Sequence, residues 1–431
     1  MKAVILAAGE GKRLRPITSS LPKPMILLLG KPILEHIIMG LKKIGIDHIL
    51  IIVGYKQEII KEYFDKAATQ INVKIEYIEQ EEYLGTANAA SYAKKFVKDD
   101  SFLMMYGDIF VDTEIFKDIL QKYNQNKVDG LIALKKVKNP QDYGIITLNS
   151  QGLVEKIIEK PTIQQMAGNL ANAGIYIFNH LIFKAIDKTQ KSPRDEYEFT
   201  DSIQILTNEL NGKIVGFPLE DYFWNDIGLP WQLFDTNHFL LDKLKKEING
   251  NVEENVKING EVFIGKNTII KSGTYIQGPC FIGENNRIGP NAFLRPYTSI
   301  ENNCHIGMSE IKNSLIFSDS SVPHFNYVGD SIICSKVNLG AGTKLSNLRF
   351  DKKSIKMKIN NKLIDSGRRK LGAIIGPNSQ TGINTSIMCG KKVGQNSIIG
   401  AHTIVDEDVS PNTFYYQDSN GKIIKKPIQI K

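Results

Sequence analysis

The residues Val4-Ile5-Leu6-Ala7-Ala8-Gly9-Glu10-Gly11-Lys12-Arg13-Leu14, followed by Leu21-Pro22-Lys23-Pro24-Met25, have the chemistry of a polyphosphate site. An apolar stretch runs into a glycine-rich turn, and a basic residue follows at once. Glycines let backbone N–H groups approach phosphate oxygens closely. A helix starting just beyond the turn would add the positive end of its dipole. Arg13 and Lys23 supply cations, and Pro22 and Pro24 hold the lysine segment rigid. The spacing is neither the Gly-Lys-Ser/Thr pattern of a P-loop nor the Gly-x-Gly-x-x-Gly pattern of a dinucleotide fold.

Further polar groups follow along the first half. Gln80 precedes Gly85-Thr86, and an amide both donates to and accepts from a nucleobase edge; a solvated glutamine is the competing reading. Tyr106-Gly107-Asp108 closes an apolar run, and a carboxylate there, beside a polyphosphate, suits Mg²⁺. Trp224-Asn225-Asp226-Ile227-Gly228 offers a second carboxylate. A turn or cap role is the alternative for both aspartates. Tyr143-Gly144, Glu159-Lys160-Pro161 and Asn172-Ala173-Gly174 supply groups for sugar hydroxyls and a sugar phosphate, although by spacing alone a solvated Glu-Lys pair is the favoured reading. In the second half His324 is a candidate general base, against the alternative of a packed or solvated histidine. Arg295, Tyr327, Asn338, Asn347 and Lys353 would form a polar site around it if neighbouring segments converge.

Two different periodicities must position these groups. Up to about residue 225, apolar strands alternate with amphipathic helices. Strands are expected at Lys2–Leu6, His48–Val53, Lys74–Ile78, Phe102–Tyr106, Gly130–Leu134 and Ile175–Phe178, and helices at Ile33–Ile44 and Ala87–Val97. The alternation predicts a mainly parallel sheet covered on both faces, with ligands at the carboxyl ends of its strands. Trp231 to Ile248 has helical spacing and reads as a connecting helix. Aliphatic residues then recur every six positions, from Val252, Ile258, Ile264 and Ile270 through to Ile306. The series resumes at Ile316, at Ile333 and again from Ile375 to Val405. Period six is that of a hexapeptide parallel β-helix. Residues 346–370 lack the repeat, are rich in Lys and Arg and read as an inserted loop. Asn420-Gly421 suggests a terminal hairpin.

A chain of 431 residues accommodates two or three domains. Its net charge of +8 comes from scattered lysines rather than one basic block, which argues against nucleic acid as a partner. No apolar run approaches bilayer-spanning length, and the short apolar start reads as a first strand rather than a signal peptide. Cys280, Cys304, Cys334 and Cys389 are too dispersed for a zinc or disulfide framework. A cytoplasmic protein without a membrane partner is expected.

The ordered series Leu-Ala-Ala-Gly-x-Gly-x-Arg, Pro-Lys-Pro, Gly-Thr, Gly-Asp, Tyr-Gly, Glu-Lys-Pro, Asn-Ala-Gly and Trp-x-Asp-x-Gly resembles the sugar-1-phosphate nucleotidylyltransferases. These include glucose-1-phosphate thymidylyltransferases and N-acetylglucosamine-1-phosphate uridylyltransferases. The resemblance implies attack of a sugar phosphate on the α-phosphorus of UTP or dTTP, with Mg²⁺ and fixed cations stabilising charge. By that resemblance Ala8, Gly9, Gly11, Arg13, Lys23, Gln80, Gly85 and Thr86 bind nucleotide, with Arg13 and Lys23 catalytic. Asp108 and Asp226 hold the metal. Gly144, Glu159 and Asn172 bind the sugar, and Lys160 its phosphate.

The block His324-Phe325-Asn326-Tyr327-Val328-Gly329-Asp330 and the stretch Asn338-Leu339-Gly340-Ala341-Gly342-Thr343 resemble the acetyltransferase half of the bacterial enzyme that makes UDP-N-acetylglucosamine. Asn347-Leu348-Arg349-Phe350-Asp351 and Asp365-Ser366-Gly367-Arg368-Arg369-Lys370 depart from the bacterial form. They are similar instead to archaeal bifunctional sugar-1-phosphate nucleotidylyltransferase/acetyltransferases, which the chain resembles nearly end to end. The implied fold class is α/β: a Rossmann-like nucleotidyltransferase domain at 1–228, a linker helix at 229–250 and a left-handed parallel β-helix at 251–431. The implied acetyltransferase site comprises Arg295, Lys312, His324, Tyr327, Asn338, Ala341, Asn347, Lys353 and Lys356. Acetyl-CoA would be the co-substrate, an amino-sugar 1-phosphate the acceptor and a homotrimer the assembly. Two other readings remain: nucleotidyl transfer alone with the solenoid as a trimerisation or regulatory module, and a non-catalytic scaffold.

Overall fold

The computed structural model describes residues 1–165 and 168–429. The chain forms two compact units. The first comprises Met1–Glu10, Pro22–Met25 and Pro32–Ile227, and the second Gly11–Leu21, Ile26–Lys31 and Gly228–Lys431.

In the first unit β1 (Lys2–Ala7), β2 (His48–Val53), β3 (Lys74–Glu79), β4 (Phe102–Tyr106), β5 (Gly130–Lys136), β6 (Gly144–Leu148), β7 (Val154–Glu159), β8 (Leu170–Phe178) and β9 (Ile214–Pro218) form one sheet. Its main path is β7-β6-β8-β4-β1-β2-β3, with β5 on β8 and β9 on β5. Helices α1 (Ile33–Lys43), α2 (Gln57–Ile71), α3 (Thr86–Ser91), α4 (Lys94–Val97), α5 (Ile115–Gln125), α6 (Leu181–Lys188) and α7 (Phe199–Asn208) complete the unit. The Val4, Ile5 and Ile49–Val53 side chains are wholly buried, as continuous apolar runs require in strands covered on both faces. The expected strands are all present. The expected helix over Ala87–Val97 is instead split into α3 and α4.

The sheet is mixed rather than mainly parallel. β4-β1-β2-β3 and the β5/β9 pair are parallel. β8 runs antiparallel to β4 and β5, and β7 antiparallel to β6. The β6–β7 link explains part of the difference, because Asn149 Oδ1 accepts the Gln151 and Leu153 N–H groups in a tight turn. A connection this short can only join antiparallel neighbours. β8 also starts earlier than its apolar segment suggests, and it carries a register break between Asn172 and Tyr176.

The second unit is dominated by a parallel β-helix, and the period-six residues build its core in three columns. One runs Ile264, Ile282, Ile300, Ile316, Ile333, Ile375, Val393, with the exposed Ile248 paired to Ile264 at its open end. Another runs Ile258, Ile276, Leu294, Ile311, Val328, Leu345, Ile387, Val405. The third holds Val252, Ile270, Ile288, Ile306 and Val322, and beyond them Leu339, Thr381, Ile399 and Tyr415. Thr381 fits the apolar series because its hydroxyl meets Thr343 Oγ1 at 2.8 Å and accepts the Gly340 N–H at 2.9 Å. Corners fall on Asn267, Asn285, Asn303 and Asp319 with φ of 59°, 56°, 60° and 64°, a conformation that asparagine and aspartate tolerate by bonding locally. Their side chains pair coil to coil: Asn267 donates to Asn285 and Asn303 to Asp319, each at 3.1 Å.

Two expectations in this unit need correction. The connecting helix α8 spans Gln232–Asp242 and does not reach Ile248. Glu247 and Ile248 pair with Phe263 and Ile264 as the first rung, so a parallel ladder captures residues whose spacing alone looked helical. The 346–370 insertion is not simply a loop. It contains a hairpin, Lys356–Ile359 against Lys362–Asp365, and buries Ile355, Met357 and Ile359. The terminal hairpin is present, with Thr413–Gln417 antiparallel to Ile423–Pro427.

The Ile26–Lys31 segment is fastened to this unit by Glu301, a wholly buried carboxylate that accepts the Gly30 N–H at 3.0 and 3.3 Å. The Phe281 ring lies against Gly30, where a Cβ would come within 3.1 Å of it. Burial pushes the Glu301 pKa up to about 7, against the lowering effect of the Gly30 bond.

Two outcomes follow from this packing. Ile282→Ala, which empties the middle of one column, should cost about 3–4 kcal/mol in denaturant unfolding of this unit; a loss under about 1 kcal/mol would contradict a tightly packed column. Glu301 binds its proton more tightly folded than unfolded. Its contribution is therefore fully present below the ordinary carboxyl pKa and is lost as pH rises to about 7. Over that interval, the fall in melting temperature of Glu301→Gln should be shallower than that of the parent.

Candidate functional site

At the carboxyl ends of the first unit's strands, one buried ammonium gathers the polar groups. Lys23 is 6% exposed. It donates to Asp108 Oδ2 at 2.7 Å and to the Asp226 backbone carbonyl at 2.7 Å. Asp108 lies just past β4, where the Gly107 N–H is held by the Leu6 carbonyl at 2.8 Å. Asp226 follows the ribbon Trp224–Asn225, which pairs with Phe110–Val111. The Trp224 indole anchors that ribbon to the Ala173 carbonyl at 2.9 Å. Asp226 Oδ2 accepts the Tyr143 hydroxyl at 3.2 Å. Tyr143 was legible only as the neighbour of Gly144; its contact with Asp226 spans 83 residues and has no local signal.

β1 leads into Ala8, which is buried and whose carbonyl accepts the Tyr55 N–H at 3.1 Å. Gly9 beyond it is exposed. A Cβ at Gly9 would meet nothing within 4 Å, and its φ lies outside the left-handed range. Neither packing nor backbone conformation therefore demands glycine there. Gly85 is different. Its φ is +115°, and a Cβ would fall 2.5 Å from the Tyr197 carbonyl oxygen. Contact with the chain itself, rather than with a ligand, accounts for that glycine. Thr86 is likewise occupied structurally, its hydroxyl accepting the Phe199 N–H at 2.9 Å. Gln80 is buried, not solvated, and its amide nitrogen donates to Glu82 O at 3.0 Å and Asn88 Oδ1 at 3.1 Å.

The groups proposed for the sugar come from paired strands. Gly144 sits directly opposite Glu159, and a Cβ on Gly144 would lie 2.7 Å from Glu159 Oε2. Thr200 Oγ1 donates to that oxygen at 3.2 Å, and the Arg194 guanidinium stands 3.6 Å from Oε1. Burial raises the Glu159 pKa, with Glu198 adding to the effect and Arg194 and Lys160 opposing it. Asn172 occupies the irregular part of β8. It donates to the Tyr176 hydroxyl at 2.8 Å, and Tyr176 donates to Tyr106 at 3.2 Å. Lys160 is exposed with φ of +45°. Arg194 and Glu198, joined at 2.7 Å, were missed in the sequence because a charged pair in a polar segment carries no distinguishing pattern.

Gly11 and Arg13 belong to the second unit. Gly11 has φ of +67°, and its carbonyl accepts the Leu14 N–H at 3.0 Å and the Thr18 hydroxyl at 2.9 Å. The turn leads into a 3₁₀ segment, Lys12–Leu14, not an α-helix, so the expected helix dipole is missing. Arg13 is exposed, with its guanidinium against Gly228, where a Cβ would come within 2.9 Å.

In the solenoid, Lys312, Tyr327 and Asn347 join through Asp330. Lys312 Nζ donates to Asp330 Oδ2 at 3.3 Å and Asn347 Nδ2 to the same oxygen at 2.5 Å. Asn347 Nδ2 also donates to the Tyr327 hydroxyl at 3.1 Å. Arg295 pairs with Glu310 at 2.8 Å, and Glu310 lies opposite Tyr327 in the ladder. His324 is exposed on the strand Ser321–Gly329, opposite Met308, and its carbonyl accepts the Gly342 N–H at 2.8 Å. That bond sets the Ala341-Gly342 turn on the neighbouring coil. Asn338 is exposed opposite Ser321 and Gln380. Lys353 and Lys356 are exposed on the inserted segment, Lys356 facing Asp365 across the hairpin. Among the described residues no helix is long and apolar enough to cross a membrane.

Comparison with known proteins agrees with both halves. A nucleotidyl transferase family model matches residues 2–243, and a GMPPB C-terminal domain model matches residues 276–364. The bifunctional protein GlmU of Methanocaldococcus jannaschii is 44% identical over 418 residues, covering 97% of this chain and 98% of its own. The bifunctional sugar-1-phosphate nucleotidylyltransferase/acetyltransferase of Sulfurisphaera tokodaii is 44% identical over 419 residues, covering 96% and 100%. Among solved structures, a putative glucose-1-phosphate thymidylyltransferase from Bacillus anthracis, in complex with a sucrose, matches with a TM-score of 0.50 and 25% identity. It covers 56% of this chain and 94% of that one. With relatives aligned across both units and both polar sites, the chain belongs to the family of bifunctional sugar-1-phosphate nucleotidylyltransferase/acetyltransferases and is a transferase of two activities.

Proposed function

We propose that the solenoid transfers acetyl from acetyl-CoA to the amine of an amino-sugar 1-phosphate, glucosamine- or galactosamine-1-phosphate. The first unit then couples a sugar 1-phosphate, N-acetylglucosamine- or glucose-1-phosphate, to UTP or dTTP with release of pyrophosphate. The observation that carries the second step is Lys23, held between Asp108 and Asp226. A buried cation bonded to two acidic residues at the strand ends, in a unit whose Gly9 has open space where a Cβ would lie, suits a triphosphate better than a structural salt bridge does. Gly9 and Ala8 would present backbone to the phosphates. Arg13 and Lys23 would offset charge on the α-phosphate and the departing pyrophosphate. Gln80, fixed through its nitrogen by Glu82 and Asn88, would read the base.

The donor set fits Mg²⁺. Two carboxylates completed by water and substrate phosphate oxygens are what this ion takes. No cluster of three or more His, Cys, Asp or Glu side chains that would make an all-protein cage is present among the described residues. Asp108 and Asp226 would hold the ion, which when bound neutralises triphosphate charge and polarises the α-phosphorus. The sugar-phosphate oxygen attacks that phosphorus, the P–O bond to pyrophosphate breaks, and no covalent enzyme intermediate forms. Glu159, kept more readily protonated by burial, and Asn172 would hold the sugar hydroxyls, with Lys160 on its phosphate.

In the solenoid, His324 would take the proton from the sugar amine as nitrogen attacks the thioester carbonyl, and the coenzyme leaves as thiol. Tyr327, Asn347, Arg295, Asn338 and Ala341 would surround the acceptor and the acyl group, with Lys353 and Lys356 adding positive charge. A homotrimer would bring the inserted hairpin of one subunit to the coils of the next. The Lys312-Asp330-Asn347 network, with Asp330 and Asn347 buried and Lys312 half-buried, favours this over a purely structural solenoid, which needs no such polar group.

The two activities should separate. His324→Ala should lower thiol release from acetyl-CoA by at least about 100-fold and leave pyrophosphate release intact. Asp108→Asn should do the reverse. A mutant at either position that impairs both equally would contradict the assignment. Gly9→Ala should fold as stably as the parent yet raise the KM for nucleotide on the order of tenfold, since the new methyl occupies only phosphate space. Gly144→Ala should instead raise the KM for the sugar phosphate by displacing Glu159. Initial-rate measurements with UTP and dTTP against each sugar phosphate check these outcomes and select the preferred pair.

A further inference from the structure

The buried carboxylate of Asp330 has no part in the transfer chemistry above, yet Lys312 and Asn347 meet on it directly and Tyr327 through Asn347. Asp330 closes the strand Ser321–Gly329, is 4% exposed and has φ of +51°. Side chains from the coils on both sides donate to it: Asn313 Nδ2 to Oδ1 at 2.7 Å, and Asn347 Nδ2 and Lys312 Nζ to Oδ2 at 2.5 and 3.3 Å. Its backbone is fixed as well, donating to the Lys312 carbonyl at 2.9 Å and accepting the Gly372 N–H at 2.7 Å.

Both Asp330 oxygens accept here, and they dictate which way each neighbouring amide points. With Asn313 Nδ2 on Asp330, Asn313 Oδ1 faces His238 Nε2 of α8 at 2.6 Å, and that nitrogen must carry the hydrogen. The His238 ring is braced against Tyr297 at 4.1 Å between centroids. On the other side, Asn347 Nδ2 spends its two hydrogens on Asp330 and on the Tyr327 oxygen. The Tyr327 hydrogen is left to point elsewhere. Burial, Asp330 and Glu310 raise the Tyr327 pKa, with Asn347 and Arg295 opposing, so the hydroxyl keeps its proton at neutral pH. Gly329 makes the arrangement possible: a Cβ there would lie 2.5 Å from Asn347 Nδ2 and 2.7 Å from the Tyr327 hydroxyl.

We propose that Asp330 is the positioning residue of the acetyl-transfer site, setting the direction of a hydrogen-bond chain from His238 through Asn313 and Asn347 to Tyr327, so that Tyr327 meets the substrate as a donor. This rests on the reading of the solenoid as an acetyltransferase.

Asp330→Asn tests it, because an amide there offers N–H to groups that also donate and forces Asn347 to turn. The kcat for acetyl transfer should fall on the order of 100-fold, with the KM for acetyl-CoA within about threefold and pyrophosphate release unchanged as the internal control of folding. A second variant, Asn313→Asp, touches neither Asn347 nor Tyr327. It sets two carboxylates side by side, which cannot both ionise without mutual cost. Its acetyl-transfer rate relative to the parent should therefore decline from about pH 6 to about pH 9, on the order of tenfold. Acetyl transfer by Asp330→Asn within about threefold of the parent, or a flat pH ratio for Asn313→Asp, overturns the proposal. If Asp330→Asn fails to fold, Asn313→Asp decides. A parent protein without any acetyl transfer overturns the acetyltransferase reading instead.

Discussion

A charge removed from water must meet fixed partners, because transfer of an unpaired ion into a protein interior costs far more than a fold can supply. Each unit is organised around one such group. Lys23 is nearly inaccessible, and the partners that satisfy it are the side chain of Asp108 and the backbone of Asp226, 85 and 203 residues further along the chain. Those two bonds hold the Pro22–Met25 segment, the end of β4 and the Trp224–Asn225 ribbon in one arrangement. Asp330 plays the corresponding part in the solenoid with the charge reversed, meeting donors from the coils before and after its own.

The scaffolds around these charges solve the problem of position differently. The first unit uses strand ends: β1 delivers Gly9, β4 delivers Asp108, and the β6–β7 pair sets Gly144 against Glu159. The site is assembled from loops that the sheet holds at fixed spacing. The solenoid uses repetition. Each coil repeats the backbone register of the last, so residues about one coil apart stack directly, and a polar group on one coil finds its partner on the next. Ile264, Ile282 and Ile300 make the column, and the same register brings Glu310 opposite Tyr327. Aliphatic columns and polar network are thus two products of one parallel ladder.

Much of the architecture was legible because its signals are local. A six-residue period survives whatever the rest of the chain does, and every predicted member of it lies along the solenoid core. Strand cores at His48–Val53 and Phe102–Tyr106 were equally plain, being apolar runs bounded by polar residues. Errors arose where pairing overruled a local pattern. Leu244 and Ile248 have helical spacing, yet Ile248 joins the first coil, where the ladder satisfies its backbone. The basic insertion looked like a loop, although Ile355, Met357 and Ile359 alternate and bury themselves. Alternating strands and helices predict a mainly parallel first sheet; short turns such as Asn149–Leu153 reverse its direction.

By itself, the sequence determined the two periodicities, the order of the motifs and the residue types available for phosphate, sugar and acyl chemistry, since these depend on neighbours within a few positions. Only the tertiary structure decided which of those residues meet. It showed that glycine at 85 answers to the Tyr197 backbone while glycine at 9 answers to nothing in the chain. It gave Asp226 its Tyr143 partner and Glu159 its Arg194. It also made Asp330 a hub. Such pairings depend on strand register and coil stacking across tens to hundreds of residues, and a one-residue slip would exchange every partner. That long-range register is where the chemistry of this chain is fixed.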